Sequence, residues 1–319
     1  MKKIVLLLLP CLFYALFVWQ YSGYKFEDEK KLVYEKLSKE LTKELNTEKK
    51  FLHEIGIIDA ISLAESDDIK HALKTNNREL AIKALQKISR DFQRTTSIKN
   101  LKVHIHTADT HSFVRNWKLA KFGDDLSGFR KAIVQVRITK EPYFGFEVGR
   151  MGLTLRSIVP VMDEKKFLGS LEFIQSFENI HKTFKHHNFS YLLLIDNSLM
   201  DIAKYLKDAP KVGPYTLSSK TYNKKFLDDA QKVNFKELKH DNYYISDKYF
   251  YTYESIKGVN GEHTGIHLLA MPSEILHKEI SKSKEELYIA IARNTLFFFL
   301  IVGILFLLNL LYTSSRKAK

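Results

Sequence analysis

Two long apolar runs bracket the chain, and between them the spacing of hydrophobic positions changes from helical to strand-like and back. From Ile4 to Tyr24 no residue is charged, and the core of the run reads IVLLLLPCLFYALFVW. About 20 such residues span a bilayer as a helix. Lys2, Lys3 and the leucine run also fit a cleavable signal peptide, but no small-x-small site closes the run. Trp19, Gln20 and Tyr21 follow instead, like an interfacial aromatic belt, so a retained anchor over residues 1–24 is expected. The second run, Asn294 to Ser315, contains TLFFFLIVGILFLLNLLY, and the last span with its basic tail is placed at 288–319. Basic residues flank both runs on their terminal sides. This places both termini in the cytoplasm and the bulk of the chain across the membrane, in the periplasm if the source is a bacterium.

Between the runs, residues 27–65 contain no Pro and a single Gly, and their leucines (Leu32, Leu37, Leu41, Leu45, Leu52) fall near helical spacing, continued by Ile55, Ile58 and Ala60. Charges of alternating sign suit a long solvated helix, and about 40 helical residues reach roughly 60 Å. A stalk helix over 25–66 follows, then two shorter helices between Asp67 and Ser97. Strand patterning begins at Leu101–Thr107 and continues at Ser112–Lys118, with a turn into a helix over Asp124–Val136. Strands at Phe144–Arg150, Leu153–Val161 and Phe167–Gln175 follow, the last pair as a hairpin, before a helix at Phe177–His187. The pattern partly restarts with a buried strand at YLLLIDNSLM. Loop-rich residues 209–241, with short helical pieces, then lead to strands at Tyr243–Ser246, Tyr249–Ile256 and Thr264–Met271, and a helix from Pro272 to Leu287 runs into the second anchor. The fold class expected is α+β, with one unit over 67–187, a second over 188–287, and a transmembrane helix on either side.

Composition narrows the classes. At 45% hydrophobic and 13% aromatic residues the chain supports a real core. Its net charge is +13, but Lys2, Lys3, Arg316, Lys317 and Lys319 sit at the two ends, and the +8 between them is interleaved with acids. Nucleic acid is therefore not expected as a partner. Cys11 is the one cysteine and lies in the first apolar run, which excludes an internal disulfide and a cysteine-ligated metal.

The candidate chemistry is concentrated between Lys102 and Arg156. Arg115, Arg130, Arg150 and Arg156 form a potential anion clamp, because a guanidinium fork binds a carboxylate in bidentate fashion. Trp117 offers a stacking wall, and Asp124, Asp125 and Glu147 offer partners for a ligand amine or for the arginines themselves. The plainer reading is that these charges pair with one another, as buried charges do. His104 and His106, two apart on a strand, share a face and admit metal ligation. Isolated histidine pairs of this kind are more often hydrogen-bonded structure, so no metal and no cofactor is assigned. The aromatic run YYISDKYFYTY reads as the core and edge of the second sheet. There is no cysteine nucleophile outside the membrane, no Gly-x-Ser-x-Gly elbow, no phosphate-binding loop and no His-Glu-x-x-His pair, so no enzyme is expected.

The segments KVHIHTADTHSFVRNWKLAKFGDDLSGFR and GFEVGRMGLTLRSIVPV resemble the membrane-distal half of a double Cache sensor, the extracytoplasmic domain of chemoreceptors, histidine kinases and nucleotide cyclases. The resemblance implies two stacked PAS-like units on a membrane-emergent helix and a small-molecule ligand in the distal unit, carboxylate or amino-acid-like. It also implies a homodimer with parallel spine helices. Such receptors usually continue into a cytoplasmic output domain, whereas here RKAK follows the second run, so signalling is expected to pass to a separate partner protein. The alternatives are an accessory scaffold without a small-molecule ligand and a metal-responsive sensor acting through His104 and His106.

Overall fold

The computed structural model describes residues 2–95, 101–175 and 177–317, without the side chains of residues 2–10, 313 and 315–317. The chain divides into two compact units, Met1–Lys39 with Pro272–Lys319, and Glu40–Met271.

In the first unit, the start of helix α1 (Lys2–Ala64) pairs with helix α8 (Ser273–Lys317). Tyr14 stacks on Phe298 with centroids 3.9 Å apart, its hydroxyl donates to Thr295 Oγ1 at 3.1 Å, and Lys36 pairs with Glu279 at 2.6 Å. Val33, Leu37 and Leu276 are buried, whereas Leu296, Phe297, Leu300 and Leu311 are exposed. Such uniformly apolar exposed surface suits lipid rather than water. Among the described residues one helix is long and apolar enough to cross a membrane. It is the stretch Ser273–Tyr312 of α8, whose most apolar 18-residue window has mean hydropathy 2.5. The first apolar run begins within residues 4–10, whose side chains lie outside those described, as do the flanking Lys2, Lys3, Arg316, Lys317 and Lys319.

The second unit carries two sheets. Helices α2 (Asp67–Lys74) and α3 (Arg78–Thr95) match the two short helices expected from the sequence, with the expected end at Ser97 outside the described residues. The first sheet contains β1 (Lys102–Thr107), β2 (Ser112–Arg115), β3 (Tyr143–Gly149), β4 (Gly152–Asp163) and β5 (Lys166–Gln175) in the order β2-β1-β5-β4-β3, every neighbour antiparallel. Alternation gives it two faces of different character. Val103, Ile105, Val159, Val161, Leu171 and Phe173 pack on Ala60 and Leu63 of α1, Ile69 and Ala72 of α2, and Ala81 and Leu85 of α3. The alanines let these helices approach the sheet closely. The opposite face carries His104, His106, Arg156, Ser170 and Glu172 and is covered by residues 116–130 and by helix α4 (Lys131–Thr139), whose Ala132, Ile133 and Val136 pack with Leu126 on Ile158.

Helix α5 (Glu178–His186) leads to the second sheet. Its strands are β6 (Ser190–Asp196), β7 (Lys211–Val212), β8 (Tyr215–Leu217), β9 (Tyr243–Ile245), β10 (Tyr249–Lys257) and β11 (His263–Pro272), in the order β7-β8-β6-β11-β10-β9. Helices α6 (Lys224–Ala230) and α7 (Phe235–Asp241) are short helical pieces of the loop-rich stretch, and they begin at Asn223 and Asn234, whose side-chain oxygens accept from the first free backbone amides. The aromatic run is core as expected. Phe250 and Tyr251 are buried, and Tyr251 stacks on Phe226 at 5.6 Å.

Gly56 shows why α1 can lie against the first sheet. A Cβ built there meets Ser157 Oγ at 2.3 Å and Gln175 Oε1 at 2.6 Å. The Gln175 amide is itself fixed by donating to the Leu52 carbonyl at 2.7 Å, so it cannot swing aside without losing that bond. Gly56→Ala gains about 1 kcal/mol of helix propensity. The overpacking it causes costs typically 1–3 kcal/mol. The variant is expected to melt several degrees below the parent in a thermal scan, and an increase in Tm would show that α1 stands off the sheet.

Candidate functional site

The covered face of the first sheet gathers most of the charged residues singled out from the sequence. Glu172, at the centre of β5, lies opposite His104 on one side and Ile158 on the other. Its Oε1 accepts from Arg130 Nη2 at 2.6 Å and from Arg156 Nη1. Arg130 Nε donates to Glu147 Oε2 at 2.7 Å, with Arg156 Nε 3.4 Å from the same oxygen. Glu147 Oε1 accepts from the Ala132 amide at 3.1 Å, a free N–H at the start of α4, so one carboxylate holds both a guanidinium and a helix terminus. Arg130, Arg156, Glu147 and Glu172 are all buried, and two positive charges face two negative ones.

The electrostatics follow from burial and pairing. Burial pushes the Glu172 carboxyl up, but the Arg130 and then the Arg156 guanidinium outweigh it and hold it well below the usual carboxylate range. Arg130 is driven the other way. Burial disfavours its charge, and Glu172 and Glu147 more than restore it. His104 is pushed well below its ordinary value by burial and then by His106, and His106 is lowered chiefly by burial, so both imidazoles are neutral at pH 7. His104 Nε2 lies 2.8 Å from Ser112 Oγ and His106 Nδ1 lies 2.9 Å from Ser170 Oγ.

Arg115 stands at the rim of this face. It grips Asp124 with both terminal nitrogens, at 2.7 and 2.8 Å, and donates to the Lys121 carbonyl at 2.9 Å. That grip keeps the Asp124 carboxyl below its usual value. Trp117 presents its ring edge-on to His104 at 5.9 Å and is 42% exposed. Asp125 is exposed and accepts from the Ser127 amide at 2.8 Å, a turn contact rather than a member of the buried cluster. Arg150 is also exposed, next to the β3–β4 turn, and its carbonyl accepts from the Tyr205 amide at 3.0 Å. The structure therefore joins Arg130, Glu147 and Arg156 to His104 and His106, pairs Arg115 with Asp124 beside Trp117, and leaves Asp125 and Arg150 outside.

Glu172, Ser112 and Ser170 were not singled out from the sequence. A usable signal existed for one of them. In KFLGSLEFIQ the strand alternation places Glu172 and Ser170 on one face of a strand whose other face carries Phe167, Leu171 and Phe173, and a charge in that position is either solvated or paired.

Comparison with known proteins agrees with this architecture. A family model described as the double sensory domain of two-component sensor kinases, a double Cache family, matches residues 34–276. No curated protein matches the chain. Among solved structures, the sensor domain of the Vibrio cholerae histidine kinase DctB is similar at 11% identity and TM-score 0.43, covering 75% of this chain and 98% of that one. The ligand-binding domain of the Campylobacter jejuni chemoreceptor Tlp3, in complex with L-valine, is similar at 12% identity and TM-score 0.41, covering 78% of this chain and 97% of that one. With a sensory-domain model extending from α1 through both sheets to the start of α8, the chain belongs to the double Cache family of two-component sensor kinase sensory domains.

Proposed function

We propose that the chain is a membrane-anchored extracytoplasmic sensor whose first-sheet unit, residues 67–187, is membrane-distal and binds a small ligand. In this reading residues 1–24 and 288–319 are the two spans, both termini are cytoplasmic, and 25–66 is the stalk. Residues 188–287 are then the membrane-proximal unit, and the signal passes to a separate signalling protein. The observation that carries the proposal is the buried charge layer between the first sheet and α4, in a chain of a sensory family. A layer of charge on a covered sheet face is expensive to build for stability alone, since apolar residues of the same volume do as well or better.

The balance of charge narrows the ligand. Arg130 and Arg156 are matched by Glu147 and Glu172, so a simple anion entering here would leave uncompensated negative charge. An amino-acid-like zwitterion can exchange its carboxylate onto a guanidinium and its ammonium onto the freed glutamate without changing the sum. Trp117, Arg115, Asp124 and Asp125 stand at the rim where such a ligand would enter. A ligand of this kind shifts the protein between two arrangements only in proportion to its unequal affinity for them. The two glutamates give it two arrangements of the same ion pairs, and α1 or α8 would carry the change toward the membrane. Phe51, Ile58 and Ile61 form an exposed apolar strip on α1, which supports a homodimer along that helix.

The test is a thermal-shift screen of the full chain in detergent against amino acids and small carboxylates. Ligand at ~100 times its Kd adds roughly 2.7 kcal/mol. Trp117 is exposed, so Trp117→Ala should leave the fold intact and reduce or abolish that shift. A shift that is unchanged in Trp117→Ala and in Asp124→Asn places the ligand elsewhere. A stable protein that responds to none of these compounds supports the accessory scaffold, in which the paired arginines are purely architectural.

A further inference from the structure

Three side chains on the covered face converge on one another through imidazole nitrogens and a carboxylate oxygen. His104 Nδ1 is 3.4 Å and His106 Nε2 is 3.6 Å from Glu172 Oε2, and all three atoms lie within 4.8 Å of one another. His106 Nε2 and Glu172 Oε2 are buried and have no hydrogen-bond partner, whereas Glu172 Oε1 and both oxygens of Glu147 accept hydrogen bonds. The other imidazole nitrogens are already engaged, His104 Nε2 with Ser112 and His106 Nδ1 with Ser170. If each imidazole donates its proton to its serine, the two remaining nitrogens are bare acceptors facing a carboxylate oxygen. Three acceptors at this spacing repel one another unless something positive sits between them.

We propose that His104, His106 and Glu172 form a binding site for a divalent first-row transition ion, with zinc the reference case. Two imidazoles and one carboxylate are a recurrent ligand set for such ions, with the fourth position left to water or another ligand. Ligand atoms about 2.1 Å from a tetrahedral ion stand roughly 3.4 Å apart, close to the 3.4 and 3.6 Å between the two imidazole nitrogens and Glu172 Oε2. The serine contacts are the outer hydrogen bonds that fix the tautomer of a ligating histidine. Glu172 can serve both roles at once, giving Oε1 to the guanidiniums and Oε2 to the ion. Because the surrounding layer is already neutral, the ion would draw an anion to its fourth position, hydroxide or a carboxylate. The site does not depend on the amino-acid reading, since the ion is tested with no organic ligand present.

The full chain in detergent, stripped with a chelator, is titrated with Co(II) and then with Zn(II). The expected result is uptake of a single tight equivalent, the intense visible absorption of four-coordinate Co(II), its bleaching by Zn(II), and a higher Tm with zinc. His106→Asn keeps an amide where Nδ1 meets Ser170 and deletes Nε2, and His104→Gln keeps an amide toward Ser112 and deletes Nδ1. Each should keep the circular dichroism of the parent and lose at least ~100-fold in affinity, beyond the 10–100-fold that outer partners alone control. No tight uptake by the parent chain overturns the proposal, and so does uptake that survives both variants, which would assign the metal to exposed histidines. Should the variants not fold, X-ray absorption of the zinc-loaded parent decides, because a first shell without two imidazoles is incompatible with this site. Repeating the amino-acid screen on chelated protein separates the two ideas, since a shift there supports the sensor reading whatever the metal result.

Discussion

Glu172→Leu is expected to cost about 3–5 kcal/mol, the usual penalty for breaking a buried ion pair from one side. Burying a leucine gains a little transfer energy, but the change removes the shared acceptor of Arg130 Nη2 and Arg156 Nη1. Arg130 retains Glu147 at 2.7 Å, whereas Arg156 keeps only the longer 3.4 Å approach to the same carboxylate, so one buried positive charge is left over. For a unit of this size a loss of that magnitude lowers Tm by of order 10 °C. A second variant tests whether charge balance is the cause. Glu172→Leu combined with Arg156→Met leaves the Arg130–Glu147 pair intact and the layer neutral again. It is expected to be more stable than the single variant despite having lost more hydrogen bonds. Additive losses in the two substitutions would show instead that the hydrogen bonds, and not the charge sum, hold the layer together.

Much of the element order was legible because hydrophobic spacing and burial are tied together. The strands of the first sheet fall within two residues of their expected limits, apart from β2, which ends at Arg115 rather than Lys118. After Arg115 the chain leaves the sheet at Asn116, whose side chain bonds back to the Val103 amide and the Leu101 carbonyl. The turn into a helix expected over Asp124–Val136 is present: Asp125, Leu126 and Arg130 form turns over the sheet face, and α4 then runs from Lys131 to Thr139. Strands β7 and β8, inside the stretch expected to be loop-rich, are too short to show alternation. The site residues were harder to read for a different reason. Residue type and spacing identify charges able to meet, but not which charge on a distant strand will meet them. Arg130 and Glu147 are close enough in sequence to suggest a pair, whereas Glu172 reaches them only through the order β1-β5-β4, which no local pattern encodes. Arg150 shows the converse. It sits beside Glu147 in the motif, yet strand alternation and the turn after Gly149 carry it to the surface.

Acidification is expected to destabilise the fold well before any carboxylate titrates, and His267 is the residue that separates the two causes. It lies in β11, 1% exposed, 2.8 Å through Nδ1 from the Tyr191 hydroxyl and edge-on to Phe146, with Nε2 unpartnered. Burial, and secondarily the charge of Lys49, push its pKa down to about 3. A folded pKa below the unfolded value near 6.5 means that the unfolded chain takes up the proton first. The stability contributed by the neutral ring is therefore complete above about pH 6.5 and falls by roughly 1.4 kcal/mol for each unit below it. At pH 5 that is about 2 kcal/mol, or a Tm some 4–8 °C lower. Glu172 acts with the same sign, but its lowered pKa matters only below the ordinary carboxylate range, so the loss between pH 6.5 and 5 belongs to buried histidines. His181, pushed down to about 4 by burial, contributes to the same slope, as do His104 and His106. His267→Asn keeps an acceptor where Nδ1 meets the Tyr191 hydroxyl and removes the titrating group. Its Tm measured at pH 7.5, 6 and 5 should fall less steeply than that of the parent chain, by the share assigned to one histidine. Parallel slopes would mean that water reaches His267 in solution and that the packing of Phe146 and Tyr191 around it is looser than the structure has it.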